Sequence, residues 1–326
     1  TPTLLSAFLY FDMSFMVWVL LGALGVQIAA TLGLTPAEKG FMVAVPILAG
    51  AALRVVNGVL VDRIGPKTTG TIGQLIVIAG LLLAWLLKVN NYGGVLALGV
   101  VLGMAGASFA VALPLASRWY PPKYQGIALG IAGAGNSGTV FASLFAPTLA
   151  KMFGWTAVFG IVTIPLIVAF LIYQIFAKDS PDQPPAKTWG QYLAIFKQSD
   201  AWWFMFFYAV TFGGFVGLSS SLNIYFNSEY GLDPVTAGFC TAACVFTGSM
   251  LRPIGGGLAD RIGGIRTLSI MYSVAAFALV ILSFKMPALW ACLAVLIVGM
   301  GAMGMGNGAI FQLVPQRGRN EMGIMT

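Results

Sequence analysis

The sequence predicts an all-α protein that crosses a lipid bilayer many times, and three observations predict it. Of 326 residues, 59% are hydrophobic and only 8% charged, against about a quarter charged in an ordinary soluble domain. Uncharged runs such as Gly70 to Leu87, Val95 to Leu115 and Ser269 to Phe284 are bounded by charged or turn-forming residues, and ~20 apolar residues let a helix cross ~30 Å of hydrocarbon. Forty-one glycines and sixteen prolines suit transmembrane helices, where neighbouring helices satisfy the freed backbone groups. A β-barrel is disfavoured because the runs are continuous rather than alternating.

Ten spans are expected, at about 5–30, 38–61, 68–87, 93–117, 126–149, 155–177, 201–227, 235–259, 267–284 and 288–313. The first residues carry no charged leader or cleavage pattern, so Thr1 reads as the trimmed start of the first span rather than as a signal peptide. The one long polar connection, 178–200, contains Pro181, Pro184 and Pro185 and reads as a cytoplasmic linker. It separates a six-helix half, 1–177, from a second half, 201–326. Cytoplasmic loops collect Lys and Arg. One side holds Arg63, Lys67, Arg118, Lys123, Lys178, Lys187, Lys197, Arg261, Arg266, Arg317 and Arg319, and the other holds Lys39, Lys88, Lys151 and Lys285. The N-terminus is therefore expected in the cytoplasm, with the chain in the cell (inner or plasma) membrane and monomeric.

Composition also excludes several functions. The net charge of +7 is scattered among the spans without a basic stripe, which argues against nucleic acid. No histidine is present, which removes the commonest general base and metal ligand; neither an enzyme, a metal site nor a cofactor is expected. Cys240, Cys244 and Cys292 all fall in apolar runs and read as buried small side chains rather than disulfides or ligands.

An internal duplication organises the rest. Shifted by 198 residues, Gly33 to Gly65 aligns without a gap on Gly231 to Gly263, with fifteen of 33 positions identical, Arg54, Asp62 and Arg63 among them. The same shift pairs Tyr10 with Tyr208, Gly103 with Gly301 and Gly106 with Gly304. An even number of spans separates the copies, so the halves run in the same orientation, with a site expected near the membrane midplane between them. By this repeat the partner of the fifth span would begin near residue 324, so two terminal helices are expected to be missing from this chain.

Arg54 and Arg252 are equivalent in the two copies and belong to no loop. Each lies seven or eight residues before its span's cytoplasmic end, roughly 11 Å inside, where a charge costs at least ~2.5 kcal/mol and usually serves a pathway. A guanidinium is planar and always charged, and its donor fork matches two oxygens side by side. A pair meeting at a shared axis would suit a small planar monoanion. The alternative is that each snorkels or pairs structurally with a neighbour. Asp12 lies at similar depth in the first span; it could neutralise Arg54, carry a coupling proton, or sit solvated near the cytoplasmic mouth. Asp62, Arg63, Asp260 and Arg261 close the repeated loops and read as gating or structural charges whose ion pairs form in one conformation and break in another. In the fifth span Gly126, Gly130, Ala134 and Gly138 form a small-residue stripe for close helix packing, with Gly133 and Gly135 beside it. Packing does not account for Asn136, whose carboxamide needs a hydrogen-bond partner from a neighbouring helix or a ligand.

The loops Gly58-Val-Leu-Val-Asp62-Arg63-Ile-Gly65-Pro-Lys67 and Gly256-Gly-Leu-Ala-Asp260-Arg261-Ile-Gly263-Gly-Ile-Arg266 resemble the signature of the major facilitator superfamily and its repeat. The run Ala132-Gly-Ala-Gly-Asn136-Ser-Gly138, after Arg118-Trp-Tyr-Pro-Pro122, resembles the nitrate signature of the nitrate/nitrite porter family. Phe8 to Gly25 and Phe311 to Arg317 also look like that family, particularly its bacterial assimilatory members. The resemblance implies a major facilitator fold that moves nitrate or nitrite by alternating access, as H⁺ symport or nitrate/nitrite exchange. It implies that Arg54 and Arg252 clamp the anion and that Asn136, Phe109, Tyr208 and Phe212 line the site. The family's second signature, in the eleventh span, lies past the last residue here. A porter of another small anion such as a carboxylate, and a membrane nitrate sensor without transport, are the alternatives.

Overall fold

A computed structural model describes residues 2–121, 131–181, 190, 191, 194 and 197–317. Gly126, Gly130 and most of the linker lie outside them. Every regular element among the described residues is a helix, and none is a strand. Among the described residues, eight helical stretches are long and apolar enough to cross a membrane: Pro36–Ile64, Pro66–Leu86, Tyr92–Ser117, Trp155–Phe176, Ser199–Tyr230, Pro234–Ile262, Gly264–Ser283 and Leu289–Ile310. The expected first span breaks into α1 (Pro2–Trp18), α2 (Leu20–Ala23) and α3 (Gly25–Leu32). Of the fifth, the described part contains the 3-10 turn Ala134–Ser137 and α8 (Gly138–Phe153).

Punctuation residues set these elements. α3 ends on Gly33 in the left-handed region at φ 64°, which costs glycine nothing. α4 (Pro36–Ile64) starts with a capping box, Thr35 accepting from the Glu38 N–H while Glu38 reaches back to the Thr35 N–H at 2.8 Å; such reciprocal caps satisfy donors that a helix start otherwise leaves unpaired. α5 (Pro66–Leu86) follows Gly65 directly, and α6 (Tyr92–Gly106) is capped by Asn91, which accepts from the Gly94 N–H at 2.7 Å. α7 (Phe109–Ser117) completes the fourth span and α9 (Trp155–Phe176) the sixth. In the second half, α10 (Ser199–Tyr208) passes through a π turn, Ala209–Gly213, into α11 (Gly214–Tyr230). α12 (Pro234–Met250) and α13 (Arg252–Ile262) meet at Leu251, and α14 (Gly264–Ser283) and α15 (Leu289–Arg317) follow.

The duplication is visible in the backbone. Gly33 and Gly231 have φ of 64° and 63°, and Gly65 and Gly263 have 83° and 94°. A Cβ on Gly103 would collide with Ala49 and Gly50, and one on Gly301 would meet Thr247 and Leu251. Thr247 is Ala49 shifted by 198, so the two copies pack their second and fourth helices through the same register.

The chain forms two compact units. The first comprises Thr1–Gln183 and Gly217–Ala242. Its interior is aromatic: Tyr10 stacks on Tyr173 at 4.7 Å, and the Tyr173 hydroxyl donates to the Pro66 carbonyl at 3.0 Å where Gly70 leaves room for it. Trp18 fills the space left by Gly50 and Gly106 and donates through Nε1 to the Pro46 carbonyl at 2.8 Å. At the end holding the repeated loop, Arg118 pairs with Asp62 at 3.3 Å, the Lys67 N–H donates to Asp179 at 2.8 Å, and Trp119 donates to the Lys178 carbonyl at 2.7 Å. At the opposite end, Asn223 donates to the Ala23 carbonyl, and Gly22 lies so close to Ser220 that a Cβ there would strike the Ser220 carbonyl. Ser220 is Gly22 shifted by 198, so within this unit the repeated position packs against its own copy.

The second compact unit comprises Pro184–Val216 and Ala243–Thr326. Ala259, Leu268, Ala309 and Ile310 form a buried cluster there, covered by Phe204, Phe207, Tyr208, Tyr272 and Leu313. Cys244 and Cys292 are buried and Cys240 is partly buried.

Candidate functional site

Within the first unit, Arg54 is half-buried on α4. Its Nη2 donates to the Gly106 carbonyl at 3.2 Å, and its guanidinium carbon lies 5.2 Å from the centre of the Phe109 ring. One turn on, Asn57 donates to the Ala107 carbonyl at 3.3 Å. These carbonyls are presented where α6 gives way to α7 at Ala107 and Ser108, so α4 reads that junction with two side chains. Phe109, 1% exposed, is held by Phe11 at 5.5 Å, and Phe11 by Phe15 at 4.3 Å. An arginine seated against an aromatic face keeps its charge but is partly stripped of water, which strengthens cation–π attraction.

Asp12 is 3% exposed, which overturns the solvated reading; the first unit packs tightly around α1 at that level. Its Oδ1 accepts from the Ser137 hydroxyl at 2.7 Å. Asn136 is 3% exposed, and its carboxamide oxygen has no hydrogen-bond partner among the described residues. Gly135 and Gly138 abut the backbone of α1, where a Cβ would strike Phe8, Asp12 and Met16; Gly133 lies just before the turn. Asp62 and Arg63 stand at the end of α4, and Asp62 holds Arg118.

Within the second unit, Arg252 is 6% exposed and opens α13. Its guanidinium carbon lies 5.9 Å from the Phe212 ring centre, and Phe212 stacks on Tyr208 at 4.9 Å and 19°. Phe212 belongs to the π turn Ala209–Gly213. Single π turns inside α-helices concentrate at functional sites because the extra residue re-aims its neighbours. Pro253 follows Arg252 and has no N–H, so the carbonyl four residues back loses its usual helical donor and the helix breaks at Leu251. Asp260 and Arg261, at the end of α13, are exposed.

Thr211, Asn307, Ser137 and Asn57 are polar groups of these environments that the sequence reading did not nominate. Thr211 and Asn307 are 1% and 3% exposed, and the Asn307 carboxamide donates to Thr211 Oγ1 at 3.5 Å. The Asn307 carboxamide oxygen has no partner among the described residues. One signal was available: Gly-x-Gly-Asn occurs at Gly133 to Asn136 and again at Gly304 to Asn307.

Comparison with known proteins bears on this geometry. The Major Facilitator Superfamily profile matches residues 6–326. A protein of Bacillus subtilis named "Nitrite extrusion protein" is 30% identical over 310 residues, 95% of this chain and 78% of that protein. A Mycobacterium tuberculosis protein named "Probable nitrate/nitrite transporter NarK2" is 30% identical over 312 residues, 93% of this chain and 78% of its own length. A Thermus thermophilus protein named "Probable nitrate/nitrite antiporter NarK1" is 28% identical over 352 residues, 97% of this chain and 78% of that one. The crystal structure of a bacterial homolog to the human lysosomal transporter Spinster, inward-facing and unoccupied, superposes with a TM-score of 0.71 at 19% identity, covering 99% of this chain and 78% of that one; at that identity the likeness concerns the fold alone.

Proposed function

Because the chain belongs to the Major Facilitator Superfamily, among relatives named as nitrate and nitrite transporters, we propose that it carries nitrate or nitrite across the cell (inner or plasma) membrane by alternating access, with its N-terminus in the cytoplasm. The observation that carries the reading is the duplicated arginine. Each copy of the repeat places one guanidinium against one phenylalanine ring, Arg54 on Phe109 and Arg252 on Phe212. A fork of N–H donors recognises two oxygens of a planar anion at once, and an aromatic wall suits a weakly hydrated ion that must shed water to enter. Asn136 and Tyr208 complete the proposed lining, and Asp62, Arg63, Asp260 and Arg261 serve as gating or structural charges.

An anion entering a negative-inside cell works against about 2.3 kcal/mol per 100 mV. Net uptake therefore needs a co-transported cation or an exchanged anion, which makes H⁺ symport and nitrate/nitrite exchange the two workable cycles. Asp12 is the buried carboxylate of the first unit and is the residue nominated to carry a coupling proton.

The test is uptake of labelled nitrate by the purified chain in liposomes, with nitrite, formate or chloride as competitor. Competition by nitrite alone supports the assignment, whereas stronger competition by formate moves it to a carboxylate porter. Binding without uptake would make the protein a sensor. An inward pH gradient that accelerates uptake in the parent and not in Asp12→Asn identifies symport; acceleration only by internal nitrite identifies exchange.

A further inference from the structure

Asn136 rides on a single 3-10 turn, Ala134–Ser137, set just before α8. The hydrogen-bond geometry of 3-10 helix is poorer than that of α-helix, and inside a span such a turn persists when its surroundings hold it. α1 supplies two holds. The backbone of α1 lies against Gly135 and Gly138 so closely that neither tolerates a Cβ. The Ser137 hydroxyl donates to Asp12 Oδ1 at 2.7 Å. Asp12 therefore grips the residue immediately after Asn136, while the carboxamide oxygen of Asn136 has no partner of its own among the described residues.

Resting on the nitrate reading above and deepening it, we propose that Asp12, acting through Ser137, is a positioning residue that fixes the Asn136 carboxamide for the anion. The carboxylate is suited to this role. It accepts from the Ser137 hydroxyl in a buried setting, where a hydrogen bond is electrostatically stronger than in water. With Ser137 replaced by alanine the turn keeps its glycine contacts and loses the side-chain hold. The carboxamide then samples orientations that do not meet the anion.

The test is nitrate uptake kinetics in liposomes for the parent, Ser137→Ala, Ser137→Thr, Asn136→Ala and the Asn136→Ala/Ser137→Ala double variant. Ser137→Ala is expected to raise the nitrate KM about tenfold, the scale of one hydrogen bond to a charged group, with the maximal rate held within about twofold. Ser137→Thr, which keeps the hydroxyl, restores the parent KM. In the Asn136→Ala background the further change at Ser137 has little effect, because the group being positioned is gone. A parent-like KM in Ser137→Ala, or additive effects in the double variant, overturns the proposal and leaves the Asp12–Ser137 bond as helix packing. If Ser137→Ala yields no folded protein, Asp12→Ala, which removes the acceptor of the Ser137 bond, carries the same KM test with the same criteria, read in nitrate/nitrite exchange without a pH gradient so that proton coupling does not enter. A parent that takes up no nitrate refutes the transport reading instead, so the two failures are distinguishable.

Discussion

The two copies of the repeat present the same arginine from differently built helices. In the first copy α4 runs unbroken from Pro36 to Ile64, and side chains bridge it to the α6–α7 junction: Arg54 to the Gly106 carbonyl and Asn57 to the Ala107 carbonyl. In the second copy the helix breaks at Leu251 ahead of Pro253, and the position of Asn57 is taken by Gly255. There backbone rests on backbone. A Cβ at Gly255 would strike Met305, one at Gly304 the Gly248 carbonyl, and one at Gly308 the Arg252 carbonyl. A shared charge at a shared register has thus been kept while the means of seating it diverged. One seat is made of hydrogen-bonding side chains, the other of glycines that let helices touch, and Arg252 ends more deeply buried than Arg54.

The largest expected effect follows from that contrast. Gly255→Leu places four carbons where the Met305 backbone stands, and backbone cannot swing aside as a side chain can. The cost should reach or exceed the ~1–3 kcal/mol typical of overpacking. Asn57→Leu, in the matching position of the first copy, loses one hydrogen bond of 3.3 Å, worth ~1 kcal/mol net. Thermal unfolding in detergent should show the first variant grossly destabilised or unrecoverable and the second shifted by a few degrees. Equal losses would break the distinction between the two seats.

The rings against the arginines give an intermediate effect. Cation–π attraction runs from ~0.5 kcal/mol at exposed sites to ~2 kcal/mol when desolvated. Phe212→Leu, beside the more buried Arg252, should therefore weaken nitrate binding more than Phe109→Leu beside Arg54, although its centre-to-guanidinium distance is longer, 5.9 against 5.2 Å. Titration of each variant with nitrate ranks them, and the reverse order would mean that distance outweighs burial here.

The smallest effect lies at the start of the two helices. Thr35 caps α4 in a capping box with Glu38, and its counterpart Asp233 caps α12 by accepting from the N–H groups of Val235 and Thr236 at 3.1 and 3.3 Å. The bond from the Thr236 hydroxyl, then those N–H groups and the Lys151 charge, hold the Asp233 carboxyl below its ordinary value. A lowered folded value stabilises the fold fully above the ordinary aspartate range, and that contribution fades as pH falls through the lower one. Acid should loosen this cap in the parent and not in Asp233→Asn, measured as hydrogen exchange at Val235 and Thr236 against pH.

The sequence revealed the spans, the duplication and both arginines, because long apolar runs and a gap-free polar repeat are local signals. The breaks at Val19 and Leu24 within the first span, the 3-10 turn at Asn136 and the π turn at Phe212 were not legible. No proline marks any of them, and each follows from packing between helices distant in sequence. For the same reason Asp12 offered several roles on paper, and the side chain that bonds it, Ser137, lies 125 residues away. Asn307 differs: it lies in a second Gly-x-Gly-Asn run that the sequence displays, and its contact with Thr211, 96 residues away, places it in the environment of the π turn.

The central proposal is that nitrate is bound through the guanidinium forks of the repeated arginines, and nitrate titration of purified parent, Arg54→Lys and Arg252→Lys tests it most directly. Lysine keeps the charge and loses the donor fork, so each variant should bind nitrate at least about tenfold more weakly, the scale of one charge-assisted hydrogen bond. Parent-like affinity in either variant, with the protein folded, would contradict the account.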